Sequence, residues 1–196
     1  MPPFLVANKS LDKFIHLNTH SFTLFLMNVQ SLQPHIPDLV SCIQHLQLNC
    51  IAVTETWLPE TFVHESVNIQ GYNFHNQPHS SSYNTRNATM ATIQQQQHGG
   101  VGMYSFDGLH YDVIKVPNLS LECLVYNYTT FRIVIAVLYR PPSYPIAEFK
   151  DSLTMLTDWL DPMSTTVAVI GDFNENILKS SSIVAFMADK GYKQHV

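Results

Sequence analysis

The chain has 196 residues, of which 45% are hydrophobic and 13% are charged, and its formal net charge is -5. This length and apolar content predict one domain with its own core. The low, acidic charge argues against a protein that grips nucleic acid along a basic track. The apolar runs are far shorter than the ~20 residues of a membrane-spanning helix, and Met1–Ser10 lacks the pattern of a signal peptide.

The three cysteines, Cys42, Cys50 and Cys123, show neither a metal-ligand spacing nor a pairing pattern. An odd number of cysteines without such a pattern is typical of a reducing compartment. Together with the missing signal peptide, this predicts a nuclear or cytoplasmic protein that is not secreted and does not contact a membrane.

Residues 1–20 are mixed in composition and are predicted to be a disordered lead-in to the domain. Ser21–Met27 is a short, β-prone, apolar run that ends at Asn28, and it predicts a buried strand. Apolar residues at helical spacing follow. Ile51–Thr54 then predicts a second buried strand, which ends at Glu55. Strand, helix and strand joined by short links indicate a βαβ unit with parallel strands.

Residues 73–98, called here the polar insert, are rich in Asn, Ser, Gln and His and contain few large apolar side chains. This composition predicts a flexible surface loop, because it offers too little apolar area to offset the entropy of ordering. Gly99 and Gly100 end the insert. Four β-prone segments between residues 101 and 139 follow at hairpin spacing, and they predict an antiparallel run of strands.

A second strand–helix–strand pattern follows. Arg140 and two prolines end the strand at Tyr139, and the apolar positions of Ile146–Leu160 predict a helix. Thr166–Ile170 predicts the next buried strand, which Gly171–Asn174 closes. Beyond it, the pattern predicts one more short helix and the start of a strand.

Four polar residues come at the ends of the strands in these two units: Asn28, Glu55, Tyr139 and Asp172. Parallel strands joined by right-handed crossovers point their carboxyl ends the same way, and ligands bind outside those ends. If the two units pack as facing sheets, these side chains share one cleft and Glu55 approaches Asp172. Two carboxylates beside a neutral amide and a phenol suit a hard cation and a phosphate oxygen. The alternative stays open at this point, since Asp and Asn after a strand are also ordinary turn residues.

Five short motifs occur in order along the chain: NVQSL (Asn28–Leu32), TETWL (Thr54–Leu58), GGVGMY (Gly99–Tyr104), YRPP (Tyr139–Pro142) and GDFN (Gly171–Asn174). They resemble the motifs of the endonuclease/exonuclease/phosphatase family, in the AP-endonuclease-like branch carried by LINE-type mobile elements (non-LTR retrotransposons). GDFN alone is a weak signal, whereas TETWL, YRPP and GDFN in this order are a strong one. The resemblance covers about residues 21–196.

This resemblance implies one α/β domain of four layers over residues 21–196, with two mixed β-sheets packed face to face and helices outside. It also implies Mg²⁺- or Mn²⁺-dependent cleavage of a phosphodiester in DNA, in which the metal neutralises charge on phosphate oxygens. By the same resemblance, Glu55 holds the metal with the help of Asn28, Tyr139 contacts the scissile phosphate, Asp172 orients or activates the attacking water, and Asn174 holds the phosphate.

The family has a further Ser-Asp-His type motif, which nothing after Gly191 supplies, and His195 lies too early to serve. The expectation is therefore a domain truncated at its C-terminus and impaired in activity, without an obligate protein partner. Two alternatives stay open. One is a phosphatase or phosphodiesterase of the same fold acting on lipid or nucleotide phosphates. The other is a catalytically dead remnant that serves as a binding module.

Overall fold

A computed structural model describes residues 4–7, 13–17, 22–43, 46–85, 88–163, 166–176 and 181–194. The described residues form eleven strands, which are β1 (Phe4–Ala7), β2 (Lys13–Leu17), β3 (Phe22–Asn28), β4 (Cys50–Thr54), β5 (Tyr72–Gln77), β6 (Val101–Phe106), β7 (Asp112–Ile114), β8 (Glu122–Tyr128), β9 (Ile133–Tyr139), β10 (Thr166–Asp172) and β11 (Lys193–Gln194).

They also form four α-helices, which are α1 (Leu32–Ile43), α2 (Ala88–Gln94), α3 (Ile146–Leu160) and α4 (Ser182–Asp189). Short 3-10 helices lie at His64–Val67, His79–Ser81 and Thr129–Phe131. Within the described ranges, no helix is both long and apolar enough to cross a membrane.

The strands form two mixed sheets. The first sheet has the order β11–β1–β10–β9–β8–β7, and the second has the order β2–β3–β4–β6–β5. β3 and β4 are parallel, and so are β9 and β10. Both predicted βαβ units are therefore confirmed, with α1 as the connecting helix in the second sheet and α3 as the connecting helix in the first.

Strand β9 shows why the central strands are apolar at every position. Ile133, Ile135 and Val137 belong to the core between the two sheets, whereas Val134 and Ala136 belong to the core under the outer helices. Successive side chains of a strand point to opposite faces, so a strand covered on both sides must be apolar throughout.

Three apolar cores hold the molecule together as four layers. The core between the sheets includes Phe22, Leu24, Ala52, Met103, Tyr126, Ile135 and Ile170. The core under α1 includes Phe25, Leu32, Leu39, Ile43, Ile51 and Val53. The core under α3 and α4 includes Val134, Leu153, Leu156, Leu160, Val169, Ile183 and Met187. The order is helix, sheet, sheet, helix, which confirms the predicted four-layer α/β sandwich.

The predicted disordered lead-in is wrong for the part of it that the structure describes. Within residues 1–20, β1 runs parallel to β10 and β2 runs antiparallel to β3. Pairing along an existing sheet edge stabilises such short strands even where the sequence carries a weak strand pattern. As a result β10 is paired on both sides, by β9 and β1.

The polar insert, residues 73–98, contains regular structure where a surface loop was predicted. It includes most of β5, which pairs antiparallel with β6, and all of α2. Tyr83, Met90 and Ile93 from the insert are buried in the core under the outer helices. The low apolar content was misleading because β5 is an edge strand, and its partly buried side chains tolerate polar residues. The flexibility of the insert stays a prediction.

The predicted antiparallel run between residues 101 and 139 is divided between the sheets. β7, β8 and β9 are antiparallel neighbours in the first sheet, as predicted. β6 instead lies in the second sheet between β4 and β5, antiparallel to both. Hairpin spacing shows where strands occur but not which sheet each one joins.

Gly171, near the end of β10, is fixed by the close approach of β9. Its φ is +150°, and a Cβ at this position would collide with the backbone carbonyl of Leu138 on the neighbouring strand. A backbone atom cannot move aside as a flexible side chain can. Glycine is therefore required here for β10 to stay in register and present Asp172 at its end.

We expect Gly171→Ala to lower the free energy of unfolding by about 3 kcal/mol or more, because a backbone collision adds to an unfavourable φ. Gly71→Ala is the matched control, since Gly71 has a φ of +85° but open space around it. That control should lose only about 1–2 kcal/mol. Urea unfolding of the two variants measures the difference, and equal losses would contradict the assigned collision.

Candidate active site

Polar side chains at the ends of strands from both sheets meet at one place. Asn28 ends β3, Glu55 follows β4, and Asp172 ends β10. The Asn28 amide nitrogen Nδ2 donates to Oε1 of Glu55 at 2.8 Å and to Oδ2 of Asp172 at 2.8 Å. Since both oxygens lie 2.8 Å from one nitrogen, they are within about 5.6 Å of each other. The structure thus brings together three of the five predicted site residues.

Tyr139 joins this group from the first sheet. It ends β9 and is the register partner of Asp172 on β10. Its side chain is 3% exposed and lies near the carboxylates of Glu55 and Asp172. Burial raises the pKa of the Tyr139 phenol, and the negative charges of Glu55 and Asp172 raise it further. The hydroxyl therefore stays protonated and acts as a donor.

Asn174 reaches the group mainly through its backbone. Its φ of +47° lies in the left-handed region, and its backbone N–H donates to Oδ1 of Asp172 at 2.9 Å. The side-chain Nδ2 donates to the backbone carbonyl of Arg140 at 2.8 Å. The side-chain nitrogen thus braces the loop, and the backbone of Asn174 helps to orient the Asp172 carboxylate.

Arg140 stabilises the same loop, which follows β10, through hydrogen bonds. It is 5% exposed, and its Nη1 donates to the carbonyls of Phe173 at 2.8 Å and Asn174 at 3.3 Å. Its backbone N–H donates to the carbonyl of Asp172 at 2.9 Å. Burial lowers the pKa of the guanidinium. The motif contains Arg140, but its position in the sequence did not reveal that it fixes the loop after β10.

The loop after β4 holds Glu55 in a strained conformation. The φ of Glu55 is +56°, a region that non-glycine residues enter only when surrounding contacts impose it. Those contacts are backbone hydrogen bonds on both sides: Ser31 N–H to the Glu55 carbonyl at 2.9 Å, and Thr56 N–H to the Gly100 carbonyl at 3.3 Å. The carboxylate is therefore set by the backbone rather than by side-chain rotation alone.

Glu122 on β8 is a buried carboxylate that contacts Gly100, the hydrogen-bond partner of this loop. It is 0% exposed and accepts hydrogen bonds from His79 Nδ1 at 2.7 Å, from the Tyr83 hydroxyl at 2.6 Å and from the backbone N–H of Gly100. His79 Nε2 contacts the Ile93 carbonyl at 2.8 Å. Because a carbonyl and a carboxylate only accept, both ring nitrogens of His79 donate, and His79 and Glu122 form a buried ion pair.

This ion pair supports both halves of the candidate site. Gly100, whose N–H is bound by Glu122, accepts the Thr56 N–H next to Glu55. Glu122 is also the register partner of Tyr139 across β8 and β9. Glu122 was not among the predicted site residues, although a single charge at the start of an apolar strand is a usable signal, because charged residues are rarely fully buried unless paired. No pattern in the sequence pointed to His79 as its partner.

The donor set fits a hydrated magnesium ion. Among the described residues there is no cluster of three or more His, Cys, Asp or Glu side chains, so a closed site of protein ligands alone is not formed. Glu55 and Asp172 instead provide two hard carboxylates within about 5.6 Å. Mg²⁺ is usually held by one or two carboxylates and completes its shell with water and phosphate oxygens. His195 lies outside the described residues.

No protein-family model matches the sequence, and no curated protein matches it either. Solved structures match the fold. The 3′-5′ exonuclease NExo from Neisseria meningitidis has a TM-score of 0.53 at 14% identity, covering 77% of this chain and 57% of its own. An AP endonuclease from Archaeoglobus fulgidus has a TM-score of 0.57 at 13% identity, covering 88% and 65%. The human Nocturnin catalytic domain, solved with bound sulfate, has a TM-score of 0.52 at 12% identity, covering 94% and 79%.

At these identities the likeness shows a shared fold. The chain spans less than two thirds of the exonuclease and of the AP endonuclease that it matches. The fold is thus the two-sheet sandwich found in exonucleases and AP endonucleases, and the chemistry of this chain has to be argued from its own residues.

The ion pair behind the site predicts a pH dependence of stability. Burial by itself lowers the pKa of His79, but the hydrogen bond and charge of Glu122 and the bond to Ile93 outweigh it, so the pKa is raised. A raised pKa means that the folded state binds the proton more tightly. The stability gained is fully present below the unfolded pKa of about 6.5 and is lost as the pH rises through the folded pKa.

We expect the difference in unfolding free energy between the wild type and His79→Gln to shrink as the pH rises from 6 to 9. Urea unfolding at several pH values measures it. His110→Gln, at an exposed histidine, is the control and should show a small, constant difference. A His79 contribution that is flat or grows with pH would contradict the charged pair.

Proposed function

We propose that this chain is a Mg²⁺-dependent phosphodiester hydrolase of the DNA endonuclease type, derived from a LINE-type mobile element. The observation that carries the proposal is the double hydrogen bond of Asn28, which joins Glu55 from the second sheet to Asp172 from the first at 2.8 Å each. Two carboxylates this close, beside a protonated phenol, suit a divalent cation that meets a phosphate.

Two further observations favour DNA as the substrate class. The fold is shared with an exonuclease and an AP endonuclease. The motifs TETWL and YRPP, which contain Glu55 and Tyr139, resemble those of the mobile-element branch rather than those of lipid or nucleotide phosphatases.

In this proposal each residue has a separate task. Glu55 and Asn28 would hold Mg²⁺, which would supply neutralisation of the charge that develops on the phosphate oxygens. Tyr139, whose hydroxyl stays protonated, donates a hydrogen bond towards a phosphate oxygen. Asp172, oriented by Asn28 and by the backbone N–H of Asn174, accepts a hydrogen bond from the attacking water and so aligns it.

The test is nicking of supercoiled plasmid DNA by the purified chain in Mg²⁺. We expect nicking that EDTA abolishes and that Glu55→Ala lowers by about 100-fold or more, since removing a metal ligand forfeits several kcal/mol of charge stabilisation. Glu60→Ala is the matched control, because Glu60 is an exposed glutamate on the same loop. Nicking that survives Glu55→Ala, or that falls equally with Glu60→Ala, would contradict the assigned site.

The 196 residues alone are expected to turn over slowly. In the family that the motifs resemble, a histidine with an acidic partner completes the site in a later motif, which these residues do not supply. Where the reading frame continues into such a motif, the extended chain should nick much faster than the 196-residue chain. An extended chain with Glu55→Ala is the control. Equal rates for the two chain lengths would show that the residues described here suffice.

A further inference from the structure

The loop that carries Glu55 also presents a tryptophan to solvent. Trp57 comes two residues after Glu55, a span of at most about 7 Å between Cα atoms, and it is 37% exposed. The intervening residue, Thr56, is 1% exposed and bonds through Oγ1 to Asn76 at 2.9 Å. Tryptophan is usually highly buried, so an indole left open beside a polar site requires an explanation.

The backbone keeps this indole in place. The φ of Trp57 is +52°, and its N–H donates to the carbonyl of Gly99 at 2.8 Å. A left-handed conformation is rare for a bulky residue and persists where the surroundings impose it, often at binding sites. The ring of His98 packs against the indole with 4.3 Å between ring centroids. Trp57 is thus braced at its backbone and at its ring while part of its surface stays open.

The position of Trp57 distinguishes it from another exposed aromatic residue. Phe106 is 47% exposed and ends β6, whose first residue, Val101, is the register partner of Thr54 at the end of β4. Because β4 and β6 are antiparallel, Phe106 lies at the opposite end of the sheet from Glu55. Trp57 is therefore the one of these two aromatic residues whose backbone lies next to Glu55, in the same loop.

The negative net charge of the protein indicates which kind of contact the exposed indole of Trp57 can make with nucleic acid. Lys and Arg together number 10, against 15 Asp and Glu, and the candidate site itself presents two carboxylates. Contacts from basic side chains to phosphates, which usually dominate binding to nucleic acid, are therefore scarce. Stacking of bases on aromatic side chains does not require basic residues, and it tolerates any sequence because every base has a π-face.

We propose that Trp57, braced by His98, is a stacking platform for a base of the nucleic acid strand that enters the site. This inference rests on the proposed function, because Trp57 would bind the same nucleic acid strand that the candidate site cleaves. The ligand is a base that is unstacked from its neighbours, as in a single strand or at a nick. Recognition at this position depends on the base being present rather than on its identity.

The chain has two tryptophans, Trp57 and Trp159, so Trp159→Phe leaves Trp57 as the only indole. In this background, the fluorescence of Trp57 is titrated with a short single-stranded deoxyoligonucleotide and with an abasic-spacer oligomer of the same length. Ca²⁺ replaces Mg²⁺, and gel electrophoresis checks that the oligomers stay intact. We expect strong quenching by the oligomer with bases, and on the order of tenfold weaker binding of the abasic oligomer with little quenching.

Variants test the same platform by fluorescence anisotropy of a labelled oligomer. Trp57→Ala should weaken binding on the order of tenfold, Trp57→Phe should restore part of it, and Phe106→Ala should leave it unchanged. Equal binding of base-bearing and abasic oligomers, or wild-type binding by Trp57→Ala, would overturn the platform. Nicking that depends on Glu55 but not on Trp57 would contradict the stacking role of Trp57 and leave the proposed function intact. Base-dependent quenching without any nicking would support the platform and contradict the proposed function.

Discussion

The side-chain amide of Asn28 donates to carboxylates that belong to different sheets, and the candidate site depends on this contact. Two carboxylates within about 5.6 Å repel each other by on the order of 3 kcal/mol at an effective dielectric constant of about 20. Hydrogen bonds to the charged forms offset that repulsion. Asn28 supplies two of them, and the Asn174 backbone supplies a third, to Asp172. A cation would add to the same effect.

The fold positions the residues of this contact by stabilising the loops that follow β4 and β10. On the first sheet, Arg140 donates to two carbonyls of the loop after β10 and to the carbonyl of Asp172 at the end of β10. On the second sheet, Glu122 accepts the N–H of Gly100, and the carbonyl of Gly100 accepts the N–H of Thr56, the residue after Glu55. Side chains locked by buried contacts keep a site within the narrow tolerances that catalysis needs. The buried residues Arg140 and Glu122 therefore support the residues of the candidate site.

The two βαβ patterns predicted that Asn28 and Glu55 would lie at one sheet edge and Tyr139 and Asp172 at another, because parallel strands in such units end at the same edge. The contact between Glu55 and Asp172 depends in addition on face-to-face packing of the two sheets, which the motif resemblance implied. The N-terminal strands and the structure in the polar insert could not be predicted in the same way. Their stability comes from pairing with a sheet that other parts of the chain build, and local composition does not report that. The same holds for the partner of Glu122, since His79 lies 43 residues away.

We propose that Glu55, with the help of Asn28, holds a divalent cation within reach of Asp172. The most direct measurement is a crystal structure of the chain grown with Mn²⁺, with diffraction data that record the anomalous scattering of manganese. We expect one anomalous peak within coordination or single-water distance of both carboxylates, and its loss in Glu55→Ala crystals. A peak bound elsewhere, or an Asn28 amide that keeps both hydrogen bonds at saturating Mn²⁺ with no ion beside them, would contradict it.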